Sequence, residues 1–378
     1  MLKKFLFWAH LSLGLLFALP IGIMALTGAL IAYEPQIVGW TDASLRNVAV
    51  PTSGQKLSMD SLAKIAQATR PAKLTSLTLS PKPTASVQAT FGKEGNLYLD
   101  PWTGAVLGSE GTTWKVLHFV EEIHRWMGSR EIGGPVTGAA VLACLFMAVS
   151  GLFLWWPRSL KAARHVLWPR SGLSGKARDW QWHNAFGVLA LPCLVLLCLT
   201  GSVFSWKWAE ALLFRSVGSE PPKAQVSAPP AANKDGKPKE KSDKGPRSKV
   251  TKDAPVAWQA ALDTVLPRIR SPWGVIVLRT GQKSGEPFSV MARAPGAHKS
   301  DGVTFKLGST GQVTAVSKSR NDAGSRLRRI MKPLHTGQYF GILGQTAMFL
   351  TSLSCALLVW TGTAMSLRRF RRRKPATA

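Results

Sequence analysis

Four of the seven histidines in this 378-residue chain stand at repeated distances from pairs of small residues. His10 lies 17 residues before Thr27-Gly28, and His183 lies 17 before Thr200-Gly201. His124 lies 26 residues before Ser150-Gly151, and His335 lies 26 before Thr361-Gly362. Each small pair falls inside or at the end of a long apolar run, so the chain reads as a duplicated two-helix unit with one histidine per helix. An ionisable side chain in a membrane helix is costly and marks a functional site by default. A single interfacial histidine needs only a headgroup or a backbone carbonyl as partner. Four in duplicated register call for chemistry, and paired neutral imidazoles are what a haem iron takes as axial ligands.

Depth decides which histidines pair. His10 and His183 open helices that start on the cytoplasmic side, whereas His124 and His335 precede helices that start outside. The register therefore predicts two b-type haems, one held by His10 and His183 and the other by His124 and His335. Gly14, Gly187 and Gly128 each follow a ligand by four residues, one helical turn on, where a missing side chain leaves room for a flat macrocycle. At His335 that place is taken by Tyr339, flanked by Gly337 and Gly341. Gly28 follows His10 by 18 residues, which at about 100° per residue is five turns and so the same helix face. Gly201 stands in the same relation to His183. Both glycines are expected to admit the outer haem, the alternative being that they only let helices pack closely.

The elements that must carry these residues are visible as four apolar runs, 5–33, 136–156, 186–206 and 342–365. Each is near the roughly 20 residues that cross a bilayer core as a helix. The formal net charge of +28 is not a nucleic-acid signature, because the basic residues sit where a membrane sorts them. Lys3 and Lys4, the segment Arg158 to Arg178 and the tail from Arg368 flank the runs on one side, which the positive-inside rule makes cytoplasmic. The fold class expected is an integral α-helical membrane protein, a four-helix transmembrane bundle from a duplicated two-helix unit, with two small α+β modules outside. The first run imitates a signal peptide, but it is too long for one and matches the third run at its His and Thr-Gly positions.

The expected divisions are a first transmembrane helix at 1–34, a module at 35–117, a second helix at 118–157 and a basic cytoplasmic loop at 158–179. A third helix follows at 180–210, then a disordered Pro- and Lys-rich linker at 211–254, a second module at 255–330, a fourth helix at 331–367 and a basic tail at 368–378. Thr113 to Met127 is amphipathic and is expected to lead helically into the second span. Each module reads as a helix followed by short strands, with a turn at Asp100-Pro101-Trp102-Thr103-Gly104 in the first. Cys144, Cys193, Cys198 and Cys355 all fall in apolar runs. They form no disulfide framework and no CxxCH, so covalent haem attachment is not expected.

Tyr98-Leu99-Asp100-Pro101-Trp102-Thr103-Gly104-Ala105-Val106-Leu107 resembles the closing hairpin of PepSY domains. With the His-bearing helices and their Leu-Thr-Gly and Trp-Thr-Gly ends, the chain is similar to the PepSY-associated transmembrane family over nearly all its length. That resemblance implies PepSY-like periplasmic modules, a bacterial inner membrane, both termini in the cytoplasm and a ferric siderophore as substrate, reduced in the manner of the ferrioxamine-type di-haem reductases. The partners implied are membrane lipid and an unidentified cytoplasmic electron donor or quinol, since no P-loop, dinucleotide fingerprint or HExxH is present. No nucleic acid is expected.

His118 is about 120° around a helix from His124 and suits a supporting or surface role. His165 is the substitute ligand should His183 not serve, and His298 reads as loop surface. Glu121, Glu122, Arg125 and Trp126 flank a ligand and are candidates for the substrate entrance, or simply a solvated helix face. Two other readings stay open. One is a non-enzymatic PepSY membrane scaffold or sensor; the other is a quinol-oxidising cytochrome b that feeds a periplasmic partner.

Overall fold

The computed structural model describes residues 1–156, 159, 167–168, 172–222, 257–270, 272–280, 288–296, 301–308 and 311–371. Most of the predicted basic loop with His165, most of the predicted linker, the loop with His298 and the tail 372–378 lie outside the described residues. In chain order the helices are α1 (Leu2–Leu16), α2 (Ala18–Ile31), α3 (Glu34–Thr41), α4 (Ala43–Arg46), α5 (Met59–Thr69) and α6 (Thr112–Trp126). They continue as α7 (Gly133–Trp155), α8 (Gly175–Ser205), α9 (Lys207–Ser216), α10 (Trp258–Val265), α11 (Ala323–His335) and α12 (Gly341–Arg371). The strands are β1 (Ser76–Leu79), β2 (Val87–Thr90), β3 (Asn96–Leu99), β4 (Val106–Ser109), β5 (Val275–Arg279), β6 (Phe288–Arg293), β7 (Val303–Leu307) and β8 (Val313–Lys318).

The chain folds as two compact units. One comprises Met1–Thr41, Gly111–Pro221 and Asn321–Ala378, and the other Asp42–Glu110 and Pro222–Arg320. In the first, α7, α8 and the segment Gln338–Phe370 are long and apolar enough to cross a membrane, and α1 with α2 passes the same test only as a pair bent by 67°. The bend interrupts the first expected transmembrane helix, 1–34, near its middle. Pro20 has no N–H to give the Leu16 carbonyl, and its ring crowds that oxygen, so the helix breaks one turn earlier at Phe17. Pro192 holds a comparable place in α8, which nevertheless runs unbroken for 31 residues.

The second predicted span is also interrupted. Met127 and Gly128 take left-handed φ values of 45° and 84°, so α6 ends and the chain turns before α7 begins. Gly128 is thus a turn residue, not a gap one helical turn beyond His124. The same break separates α11 from α12, where Gly337 and Gly341 have φ of 76° and 65°. His124 and His335 consequently sit in the last turns of two amphipathic helices, at the mouths of the apolar ones. The predicted linker is shorter than expected, because α9 extends helix through Ser216, and its Glu210 pairs with Arg328 of α11 at 2.8 Å.

The second unit joins the two predicted modules into a single sheet. Its strand order is β4-β3-β2-β1-β5-β6-β7-β8, antiparallel throughout, with the halves meeting at β1 and β5 through Leu77↔Leu278. Alternation puts Leu77, Ala89, Leu97, Leu99, Ile276, Leu278, Val290, Phe305 and Leu307 into one core with Leu62 and Ala66 of α5 and Trp258, Leu262 and Val265 of α10. The two helices cap one another. Asp60 accepts from the Trp258 N–H at 2.7 Å, and Gln259 accepts from the Met59 N–H at 2.9 Å. Irregularities at Tyr98/Leu99 and Lys306/Leu307 occupy matching places in the two halves. The turn expected at Asp100 forms, with Gly104 N–H donating to the Asp100 carbonyl at 2.9 Å.

Leu278 is fully buried at the seam, whereas Val316 is 55 % exposed. Leu278→Ala is expected to destabilise the sheet by about 2–5 kcal/mol, and Val316→Ala to change stability by less than about 0.5 kcal/mol. Thermal unfolding of the full chain in detergent checks the contrast.

Candidate cofactor site: two facing histidine pairs

An imidazole in an apolar helix packing must place its N–H on an acceptor, and each of the four does so in the same way. His10 Nδ1 lies 3.0 Å from Ser150 Oγ, and His183 Nδ1 lies 3.0 Å from Thr361 Oγ1. At the other end, His124 Nδ1 is 3.1 Å from Thr27 Oγ1 and His335 Nδ1 is 2.8 Å from Thr200 Oγ1. The partner in every case is the hydroxyl of the small pair on the neighbouring helix of the same repeat.

The proton positions follow from the hydroxyls' other bonds. Thr27 donates to the Ile23 carbonyl at 2.6 Å, Thr200 to Leu196 at 2.7 Å and Thr361 to Leu357 at 2.8 Å. A hydroxyl has one hydrogen, so each threonine oxygen receives the histidine's N–H. Nδ1 therefore carries the proton in all four rings, and Nε2 presents a bare lone pair. Ser150 is the weaker support, since its own bond to Met147 is 3.3 Å.

At three of the four hydroxyls the glycine that follows lets the ring approach, while at Gly201 a Cβ would make only ordinary contact. A Cβ at Gly28 would stand 3.1 Å from His124 Cε1, one at Gly151 3.3 Å from His10 Cε1, one at Gly362 3.3 Å from His183 Cε1 and one at Gly201 3.8 Å from His335 Cε1. So supported, the rings face each other between repeats. His10 and His183 have centroids 6.3 Å apart, and His124 and His335 6.4 Å. With about 2 Å from metal to imidazole nitrogen, and about 1.1 Å from nitrogen to ring centre, two axial imidazoles on one metal stand about 6 Å apart.

Beside His10 and His183 is a cavity of about 1070 Å³, walled by both rings and by Gly14, Gly151, Gly187 and Gly362. Gly14 and Gly187 thus lie where a bulky ligand would pass. Ile21, Ala25, Ala140, Val141, Leu194 and the free thiols Cys144, Cys198 and Cys355 pack into one buried cluster, and Ile21, Cys144, Leu194 and Cys355 of it also line the cavity. His118 stacks on Trp114 at 4.8 Å, half exposed, and does not join the pairs. Glu121 meets Arg125 at 3.4 Å, while Arg125 and Arg130 cover the Trp126 ring. Among the described residues no three of His, Cys, Asp or Glu converge as metal ligands.

Spacing alone marks the small pairs in the sequence and leaves the role of their hydroxyls unread. The signal was present: a Ser or Thr stands immediately before the glycine in all four, and a buried histidine needs an acceptor.

Long apolar helices, a separate sheet unit and histidines paired across a duplicated helix unit define a polytopic membrane protein with two matched two-histidine sites. The chain matches the PepSY-associated TM region over residues 7–369, and it belongs to that family. No curated protein matches it.

With histidine labelled in ¹⁵N, the four site imidazoles are expected to show Nδ1–H, Nε2-bare signatures in NMR of the ligand-free protein. Thr200→Val should remove that preference at His335 alone. Nε2-protonated rings in the unmodified chain would contradict the assignment.

Proposed function

We propose that this is a four-span inner-membrane protein that holds two b-type haems and reduces a ferric siderophore outside the membrane. The observation that carries the reading is the pairing of imidazole rings, with centroids 6.3 and 6.4 Å apart, in both sites. Each site offers two protein ligands, so a metal there draws its remaining donors from elsewhere, and a planar tetrapyrrole supplies four. A haem held by these histidines would supply one-electron exchange.

The chain's own residues do the rest. His10 and His183 would hold one group and His124 and His335 the other, while Ser150, Thr361, Thr27 and Thr200 fix the ring orientation. Gly14, Gly187, Gly28, Gly201, Gly151 and Gly362 clear the space around the rings. Basic residues at the His10–His183 end support a cytoplasmic placement of that site, with both termini inside. The sheet unit, which we read as paired PepSY-like modules, then lies in the periplasm.

The electron enters from a cytoplasmic donor or from quinol and leaves to the ferric chelate. Fe(III) taken to Fe(II) is a softer ion, held less firmly by hard oxygen donors, and is released. The entrance is assigned to Glu121, Glu122, Arg125 and Trp126 of α6, beside His124.

The purified protein should show two b-type haems per chain in oxidised and dithionite-reduced spectra. His124→Ala should lose one and spare the other, and the reduced protein should be re-oxidised by ferric siderophore. A chain that stays colourless when made with ample haem supports a PepSY scaffold instead. Two haems without re-oxidation by ferric chelates support a cytochrome that passes electrons to a protein partner.

A further inference from the structure

The rim of the cavity beside His10 and His183 is chemically one-sided. Its charged and amide-bearing side chains include Lys176, Asn184, Arg368 and Arg369, and among the described lining residues there is no Asp or Glu. Arg368 is already engaged, because it binds Asp179, which Arg178 also holds at 3.0 Å. Lys176 and Arg369 have no acidic partner among the described residues, and Arg369 meets only the rings of Phe7 and Trp8, at 5.0 and 5.2 Å.

A separate observation lies deeper in the same wall. Trp155 lines the cavity one helical turn beyond Gly151, the residue against His10, and its Nε1–H is buried with no hydrogen-bond partner among the described residues. A buried indole N–H ordinarily finds an acceptor, and an orphan implies one that belongs to something else. An indole donor and two unpaired cations, with no opposing carboxylate, make a place for a carboxylate.

We infer that Trp155, Lys176 and Arg369 form a carboxylate-binding subsite for the ligand seated between His10 and His183. The inference rests on the haem reading, in which the carboxylates are the propionates. Trp155 would donate one hydrogen bond to a carboxylate there and the two cations would neutralise its charge.

The test uses the full chain carrying His124→Ala, made without haem, so that the His10–His183 site titrates alone. Haem and haem dimethyl ester, which lacks free carboxylates, are each added and followed by absorbance. The free acid is expected to bind at least about tenfold more tightly than the ester, the usual worth of a hydrogen bond to a charged group. Trp155→Phe and the pair Lys176→Gln with Arg369→Gln should each shrink that preference while leaving ester affinity unchanged. Equal affinity for acid and ester overturns the subsite and leaves the haem reading intact. So does a preference that the variants retain, or one that vanishes when anionic phospholipid is added, which would assign the cations to lipid headgroups. Binding of neither form overturns the haem reading itself.

Discussion

The hydrogen bond from a histidine Nδ1 to a helix hydroxyl is the constraint on which the membrane unit depends. In an apolar packing an unmet N–H is expensive, and an imidazole free to flip presents either nitrogen. A threonine whose own hydrogen is spent on the carbonyl one turn back is a pure acceptor, so it decides the tautomer as well as the orientation. The glycine beside it is then required, because a side chain at Gly28, Gly151 or Gly362 would press on the ring it serves. The pairing of histidine and hydroxyl recurs four times, and in three of the four the glycine completes a three-part unit.

Its use in two directions ties the fold together. Hydroxyl bonds run within a repeat, joining α1 to α7 and α2 to α6 in the first and α8 to α12 and α8 to α11 in the second. Ring pairs run between repeats, His10 to His183 and His124 to His335. Neither site can be built by one repeat alone. The sheet unit follows the same logic, since β1 and β5 are the inner strands of two similar halves and each supplies the other's missing neighbour. Two four-stranded meanders with exposed inner edges would each invite mispairing, and joining them removes both edges.

The site was largely legible in the chain because histidines in apolar runs are rare enough to stand out, and duplication supplied a second copy against which to read the spacing. Helical arithmetic singles out Gly28 and Gly201, but the bend at Phe17 falls between His10 and Gly28, so a shared helix face holds only for His183 and Gly201 in unbroken α8. Gly128 was misplaced because the same arithmetic assumes the helix continues, and nothing in Trp126-Met127-Gly128 says whether the glycine lies inside a helix or just past its end. The kink at Phe17 had a visible cause in Pro20, but Pro192 has the same chemistry and breaks nothing. Local sequence does not distinguish the two cases, because neighbouring helices determine whether a proline's lost bond can be absorbed.

By itself the sequence determined the apolar helices, their duplicated order and which histidines share a depth, since these follow from hydropathy and from the fixed rise and rotation of a helix. It also determined the alternation that gives each half of the sheet one apolar face. What only the tertiary structure decided is partnership across the chain. Which hydroxyl meets which ring, that the rings face each other at about 6 Å, and that β1 closes on β5 over 200 residues of sequence are contacts between distant segments. Helix and strand periodicity say which face a residue occupies; they carry no information about what packs against that face.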